Sequence, residues 1–126
     1  YYLKFILKLT NIRLLFELNT QTEYSFKIFE EILIKSKNNI ETLDAEMFFV
    51  YLPAIGEYES SYSKDRYKNN VISLVKKLNI NVIDIDNEVF SKIDEPKTLF
   101  STFGYHYNEK GYKLIYQRLL EELNKK

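Results

Sequence analysis

The sequence predicts an α/β fold with a parallel sheet, and three observations support this. A short, continuously apolar run, Met47 to Leu52, stops at Pro53. A second short apolar run lies at Val82 to Ile85, and between the two runs Lys64 to Leu78 repeats its apolar residues at helical spacing. A strand, a helix and a strand in this order form a βαβ unit, whose strands pair in parallel through a right-handed crossover.

The chain before Met47 is predicted to be helical. Tyr1 to about Asn19 has a broad apolar surface and indicates one helix, although the short run Leu3 to Leu9 is also consistent with a strand. Thr22 to Lys37 indicates a second helix, with apolar residues at Phe26, Phe29, Ile32 and Leu33. We expect Asn38-Asn39 to end it.

Beyond the first strand, the sequence predicts a loop, a helix, a strand and a final helix. Pro53 to Ser63 has no sustained period and indicates a loop, Asn87 to Ile93 a short helical turn, and Asp94 to Tyr107 an irregular segment. Asn108 is the expected N-cap of the last helix, because asparagine side chains accept hydrogen bonds from the first turn. Its apolar stripe is Tyr112, Ile115, Leu119 and Leu123.

Two predicted strands are too few to support four predicted helices. The chain also begins at Tyr1 rather than at a methionine. We therefore expect residues 1–126 to be the C-terminal portion of a single domain, whose other strands come from sequence upstream of Tyr1 or from a partner chain.

Composition limits the functional classes. The 126 residues include 18 Lys plus Arg and 18 Asp plus Glu, so no net charge attracts nucleic acid. Lys4, Lys8 and Arg13 interrupt the first apolar segment and argue against a membrane span there. The absence of cysteine excludes disulfides and thiolate chemistry, and a single histidine leaves no basis for expecting a metal site or a cofactor.

His106 is the main catalytic candidate. Ligands of open α/β sheets bind beyond the carboxyl ends of the strands, where the loops Pro53 to Ser63 and Ile85 to Tyr107 are expected. His106 lies at the end of the second loop, directly before a helix. Secondary candidates lie in or beside these loops. Asp84 and Asp86, at the end of the second strand, could orient an imidazole or bind a cation, but helix capping is favoured for them. Solvation is favoured for Glu57, Glu59, Ser60 and Ser61, and no nucleophile turn surrounds Ser101. Core packing is favoured over a sugar-binding wall for the aromatic residues Tyr105, Tyr107 and Tyr112.

The stretch Phe100 to Ile115 resembles the last sequence block of the SGNH hydrolases, the GDSL-type esterases and acetylesterases. In that family a histidine precedes a helix that opens as Asn-x-x-Gly-Tyr, here Asn108 to Tyr112. The resemblance covers about Glu46 to Leu123. It implies a three-layer, Rossmann-like (flavodoxin-like) parallel sheet, of which this chain is the C-terminal part. It also permits an extracytoplasmic location.

The resemblance implies hydrolysis of esters, including O-acetyl esters of carbohydrates. In the family a serine attacks the ester carbonyl, a glycine and an asparagine stabilise the oxyanion, and a histidine acts as general base and then acid. Only the histidine carries over, to His106. The other blocks would precede Tyr1, and no Gly-x-Ser-x-Gly turn is present. The expected partners are an ester substrate and the upstream part of the same domain.

One departure from the family pattern leaves alternatives open. The family places an aspartate three residues before the histidine to orient the imidazole, and this chain has Phe103 there. A Ser-His dyad oriented by a backbone carbonyl is one interpretation. A non-catalytic domain that binds carbohydrate or assembles an envelope complex is the main rival. A receiver-like signalling domain would use Asp84 and Asp86 as an acidic pocket, but would leave the His106 block unexplained.

Overall fold

The structure is a computed structural model, and it describes residues 6–7, 22–58, 64–102 and 106–125. The strands and helices follow in the order β1 (Ile6–Leu7), α1 (Thr22–Glu41), β2 (Phe48–Tyr51), α2 (Lys64–Lys77), β3 (Asn81–Asp84), α3 (Ile85–Glu88) and α4 (Glu109–Leu123), with short 3₁₀ helices at Ile55–Tyr58, Phe90–Lys92 and Pro96–Leu99. The chain is therefore of mixed α/β content, as the sequence predicts.

The strands form a three-stranded sheet in the order β1-β2-β3. The two predicted strands, β2 and β3, are neighbours, as expected. At Ile6–Leu7 the prediction of a helix is wrong, and the alternative of a strand within Leu3 to Leu9 is confirmed. These residues pair in parallel with β2, Ile6 opposite Phe48 and Leu7 opposite Phe49. This pairing satisfies backbone groups at the edge of β2, which outweighs any helical tendency of a short apolar run. The rest of the predicted first helix lies outside the described residues.

Helix α1 is longer than predicted. It passes through Asn38 and Asn39 to Glu41 and is followed by Asp44, whose φ is 50°. Ile40 is only 6% exposed and lies seven residues after the buried Leu33, so the same helix face continues into the core. Burial of Ile40 outweighs the weak helix propensity of two exposed asparagines.

Both long helices before β2 and β3 end in the same hydrogen-bonded motif. At the end of α2, Ile80 N donates to Val75 O over 3.2 Å and Asn79 N donates to Lys76 O over 2.9 Å. Asn79 has a φ of 54°, the left-handed conformation that this helix ending requires. Asp44 takes the equivalent place after α1, where Ala45 N donates to Ile40 O over 3.3 Å.

The chain forms two compact units, of which the first comprises Tyr1–Val50 and Asn70–Val82. Its buried apolar side chains are Phe29, Leu33, Ile40, Met47, Phe48, Phe49, Val75 and Ile80. The rings of Phe29 and Phe49 pack edge to face, with centroids 6.2 Å apart. Lys37 Nζ donates a 2.9 Å hydrogen bond to Leu78 O, which joins α1 to the C-terminus of α2.

The second unit comprises Tyr51–Asn69 and Ile83–Lys126, and it contains the predicted loops and the last helix. Its buried apolar side chains are Pro53, Ile83, Ile85, Phe90, Leu99, Phe100 and Ile115. Arg118 of α4 contacts Glu88 of α3 through Nε at 2.5 Å, and it contacts Glu122 of its own helix through Nη2 at 2.7 Å. These contacts join the last helix to the segment that follows β3.

The boundary after β3 differs from the prediction by one residue. Ile85 was expected to end the strand, but it begins α3, and Asp84 is the N-cap of that helix. The Asp84 carboxylate accepts a 3.1 Å hydrogen bond from Asn87 N. The capping interaction draws the chain into a helical turn before Ile85 can pair.

Candidate functional site

His106 lies in the second unit, between the irregular segment and α4, and its side chain is exposed. Its backbone position is fixed from the opposite strand of a short hairpin. Ser101 N donates a 2.8 Å hydrogen bond to the carbonyl oxygen of His106, and the neighbouring residues Phe100 and Tyr107 form an antiparallel bridge. The hairpin therefore presents an exposed imidazole on a constrained backbone.

The Asn108 side chain joins this hairpin to α4. Its Oδ1 accepts a 3.0 Å hydrogen bond from Gly111 N, which confirms the predicted N-cap. Its Nδ2 donates to Thr98 O at 2.7 Å and to Phe100 O at 3.2 Å. We call this set of contacts, formed by Asn108 with Thr98, Phe100 and Gly111, the Asn108 clamp.

Gly111 permits the close approach on which this arrangement depends. A Cβ atom at this position would lie much closer to the Leu99 carbonyl oxygen than van der Waals radii allow, and it would lie 3.1 Å from Tyr107 Cβ. Leu99 O also accepts a 3.0 Å hydrogen bond from Asn108 N. The Asn-x-x-Gly spacing therefore brings the first turn of α4 against the 3₁₀ helix Pro96–Leu99.

Tyr107 connects the hairpin to the loop that leaves β2. Its hydroxyl donates a hydrogen bond to the carbonyl oxygen of Pro53, two residues after the end of β2. Its ring packs edge to face against that of Phe90, with centroids 5.4 Å apart, and at a tilt of 43° against that of Phe100, with centroids 4.9 Å apart. Core packing is thus the role of Tyr107, and the residue after His106 lies beside the carboxyl end of β2.

A buried polar cluster lies at the carboxyl ends of β2 and β3. Lys68 Nζ is 2.8 Å from Asp86 Oδ2 and 3.0 Å from Asp84 Oδ2. It also lies 5.2 Å from the centre of the Tyr51 ring, within cation–π range. The Tyr58 hydroxyl donates a 2.6 Å hydrogen bond to Asp86 Oδ1. We call these five residues the Lys68 cluster.

The Lys68 cluster shows that two strand ends meet. Tyr51 is the last residue of β2 and Asp84 the last residue of β3, and both contact Lys68. The carboxyl ends of the strands therefore lie at one edge, as the parallel prediction requires. Asp84 caps α3 and both aspartates pair with Lys68 Nζ, so their contacts support a structural role rather than the orientation of an imidazole.

Burial and charge pairing alter the protonation of this cluster. Burial lowers the pKa of Lys68, but the hydrogen bonds to Asp86 and Asp84 and the charges of these carboxylates together have the larger, opposite effect. The net pKa of Lys68 is therefore above its usual value. Burial, and then the hydrogen bond to Asp86, raise the pKa of the Tyr58 hydroxyl far above its usual value. Lys68 is therefore a cation and Tyr58 a neutral donor at physiological pH.

Glu57 differs from the prediction of a solvated side chain. It is 4% exposed, and it accepts hydrogen bonds of 2.8 Å from both the Tyr51 hydroxyl and Ala54 N. These two donors compensate for the loss of water around the carboxylate. Glu57 thus closes the turn after Pro53.

The other predicted candidates fall into two groups. Ser101 contributes its backbone N–H to the hairpin, and Tyr112 is 47% exposed with its ring 5.5 Å from that of Tyr107. Tyr112 is thus only partly in the apolar stripe predicted for it. The remaining candidates lie outside the described residues: Glu59, Ser60, Ser61, Phe103 and Tyr105.

Sequence reasoning missed Lys68, which is the centre of the polar cluster. Tyr67 is one of the apolar residues whose helical spacing predicts α2, yet it is 45% exposed, whereas the neighbouring Lys68 is 6% exposed. Lys68 lies seven residues before the buried Val75, on the same face of the helix. That spacing was the available signal, because a lysine on an apolar face needs a buried anionic partner.

Within the ranges that the structure describes, no helix is long and apolar enough to span a membrane. No group of three or more acidic or histidine side chains in those ranges is arranged to hold a metal ion. Comparison with family models, with curated proteins and with solved structures gives no match.

Proposed function

We propose that this chain is the C-terminal part of an SGNH-type serine hydrolase that acts on esters, including O-acetyl esters of carbohydrates, with His106 as the general base. The proposal includes the three-layer, Rossmann-like sheet of that family. The serine nucleophile and the oxyanion donors would come from residues outside this chain, because no Gly-Asp-Ser block occurs in it.

One observation carries the proposal. An exposed histidine stands on a constrained hairpin directly before a capped helix, and the next residue, Tyr107, contacts Pro53 just beyond the carboxyl end of β2. This is the edge at which α/β domains bind ligands. The sequence motif and the geometry thus favour the same residue.

In the proposed reaction, His106 accepts the proton of the serine hydroxyl as the serine oxygen attacks the ester carbonyl. The imidazolium then donates this proton to the departing alcohol, and an acyl-serine forms. The same imidazole then deprotonates a water molecule as the water oxygen attacks the acyl carbon, and the imidazolium returns that proton to the serine oxygen as the carboxylic acid leaves. Each transfer requires the imidazole to come within about 3 Å of the exchanging oxygen.

The test is hydrolysis of an aryl acetate by a longer protein that includes the sequence preceding Tyr1. We expect His106→Ala to lower kcat by several orders of magnitude, since the base and the nucleophile act as a unit. The 126-residue chain alone should show no His106-dependent hydrolysis. Equal rates with and without His106 in the longer protein would show that His106 is not the base.

A non-catalytic carbohydrate-binding or envelope-assembly domain is the second candidate. Phe103 in the position of the usual aspartate favours it, and so does the pairing of Asp84 and Asp86 with Lys68 rather than with an imidazole. Losing the orienting aspartate costs about 10⁴ in rate in serine proteases. Carbohydrate binding without hydrolysis, in a protein that carries the serine block, would support this candidate over the esterase.

A further inference from the structure

We propose that Asn108 is a positioning residue for His106, through the donor half of its side chain. The inference rests on the proposed role of His106 as a base. Capping α4 requires only the acceptor oxygen, Oδ1, which binds Gly111 N. The amide nitrogen has a separate task, because it donates to Thr98 O, in the 3₁₀ helix Pro96–Leu99, and to Phe100 O, on the opposite strand of the hairpin.

The chemistry of the three partners fixes the orientation of the amide. Gly111 N–H can only donate, whereas the carbonyl oxygens of Thr98 and Phe100 can only accept. The oxygen of the Asn108 side chain must therefore face α4, and its nitrogen must face the hairpin. A carboxylate could form the first contact as well as an amide does, but it would repel both carbonyl oxygens.

The hairpin contacts lead directly to His106. Phe100, which receives one of the Nδ2 bonds, is bridged to Tyr107, and the next residue, Ser101, donates to the carbonyl oxygen of His106. The strand that fixes His106 is thus itself attached to the first turn of α4 by Asn108. Without the Nδ2 contacts, α4 would keep its cap, but it would lose one bond to the hairpin, at Phe100 O, and one to the preceding 3₁₀ helix, at Thr98 O.

Two substitutions separate the capping contact of Oδ1 from the donor contacts of Nδ2. Asn108→Asp and Asn108→Ser both keep a good capping oxygen. Neither can donate to both Thr98 O and Phe100 O, since aspartate has no donor and the serine hydroxyl has one. Asn70→Asp, on the exposed surface of α2, is the matched control for the added charge.

Nuclear magnetic resonance of the full chain provides the measurement. His106 is the only histidine, so the imidazole Hε1–Cε1 group gives a single assignable signal. We expect both Asn108 variants to shift and broaden this signal and to increase the hydrogen-exchange rate of the Ser101 amide by about 10- to 100-fold, the effect of losing one or two hydrogen bonds. The amides of α4 should remain as protected as before.

Three results would overturn the inference. An unchanged exchange rate of the Ser101 amide and an unchanged imidazole signal in both variants would mean that the Nδ2 contacts do not hold the hairpin. If the amides of α4 and the Ser101 amide both lost protection from hydrogen exchange in both variants, Asn108 would act as a helix cap alone. An effect of Asn108→Asp alone would attribute the change to charge.

The same variants distinguish failure of this inference from failure of the proposed function. In the longer protein, Asn108→Ser should lower kcat for an aryl acetate and leave KM nearly unchanged, because positioning affects the transition state more than ground-state binding. If that protein hydrolyses nothing while the hairpin responds as expected, the proposed function fails and the positioning role stands. If hydrolysis depends on His106 but kcat is unaffected by Asn108→Ser, the positioning role fails alone.

Discussion

At the scale of single residues, Lys68 illustrates how a buried charge organises the edge of the sheet. Its side chain is 5% exposed and contacts two carboxylates, of which Asp84 is 11% and Asp86 4% exposed. An ion pair in this position adds little net stability over an apolar core, but removing one partner leaves an uncompensated charge. Lys68 therefore specifies the arrangement of the two strand ends.

Lys68→Met tests this role. We expect the variant to lose about 3 to 5 kcal/mol of unfolding free energy, measured by denaturant titration, because Asp84 and Asp86 would remain buried without a cation. Lys76→Met, at an exposed position of the same helix, should change stability by less than about 0.5 kcal/mol. Adding Asp86→Asn to Lys68→Met should recover part of the loss. Similar stability of the two lysine variants would contradict the structural role.

At the scale of secondary structure elements, the packing of α4 depends on Gly111. Glycine normally weakens a helix by about 1 kcal/mol relative to alanine, so Gly111→Ala would stabilise an isolated α4. In the folded chain the added methyl group meets the Leu99 carbonyl oxygen, which is backbone and cannot rotate away. The contact with the 3₁₀ helix Pro96–Leu99 should therefore decide whether Gly111→Ala raises or lowers the unfolding free energy.

We therefore expect Gly111→Ala to lower the unfolding free energy by about 1 to 3 kcal/mol, as overpacking does. Gly56→Ala is the matched control, because a Cβ at Gly56 has nothing within 4 Å, and its effect should be neutral or slightly stabilising. Denaturant unfolding of both variants provides the comparison. If Gly111→Ala is as stable as the unaltered chain, α4 does not need this close approach.

The elements also show which features follow from local sequence. Asn108 caps α4 as predicted, because a cap depends on hydrogen bonds within a few residues. The end of α1 could not be predicted in this way, since Asn38 and Asn39 weaken the helix locally but Ile40 is buried in the folded chain. The pairing of Ile6–Leu7 with β2 likewise depends on a strand some forty residues later.

The same distinction between local and distant contacts applies to the residues of the candidate site. His106 is a candidate because a short motif surrounds it, and its role stays a prediction. The role of Asp84 as a helix cap is confirmed, because capping depends on nearby residues. The role of Lys68 was not recognised, because its partners Asp84 and Asp86 are brought to it only by the crossover from β2 through α2 to β3. The buried state of Glu57 likewise requires the Tyr51 hydroxyl, which the strand places next to the turn.

At the scale of the whole molecule, the Lys68 cluster connects stability to pH. The pKa values of Lys68 and Tyr58 are both raised in the folded chain, so each group retains its proton more tightly when folded than when unfolded. The stabilisation from such groups is fully present below their unfolded pKa values, near 10, and is lost as the pH rises above them. The cluster therefore favours the folded state at neutral pH.

We expect the thermal midpoint of the chain to fall as the pH is raised from about 9 to 11. Tyr58→Phe should lower stability at neutral pH by about 1 kcal/mol and reduce the alkaline slope, because phenylalanine has no proton to lose. Thermal unfolding monitored by circular dichroism at several pH values measures both effects. A slope that is the same with and without the Tyr58 hydroxyl would show that this group does not titrate with unfolding.

If His106 activates a serine, it must accelerate transfer of an acetyl group to that serine, and a single-turnover experiment measures this step. The longer protein would be mixed with an aryl acetate, and acetylation of its serine would be followed by mass spectrometry in the presence and absence of His106. We expect rapid acetylation of one serine, slowed by several orders of magnitude in a folded His106→Ala variant. Acetylation of that serine at an equal rate in both proteins would contradict it.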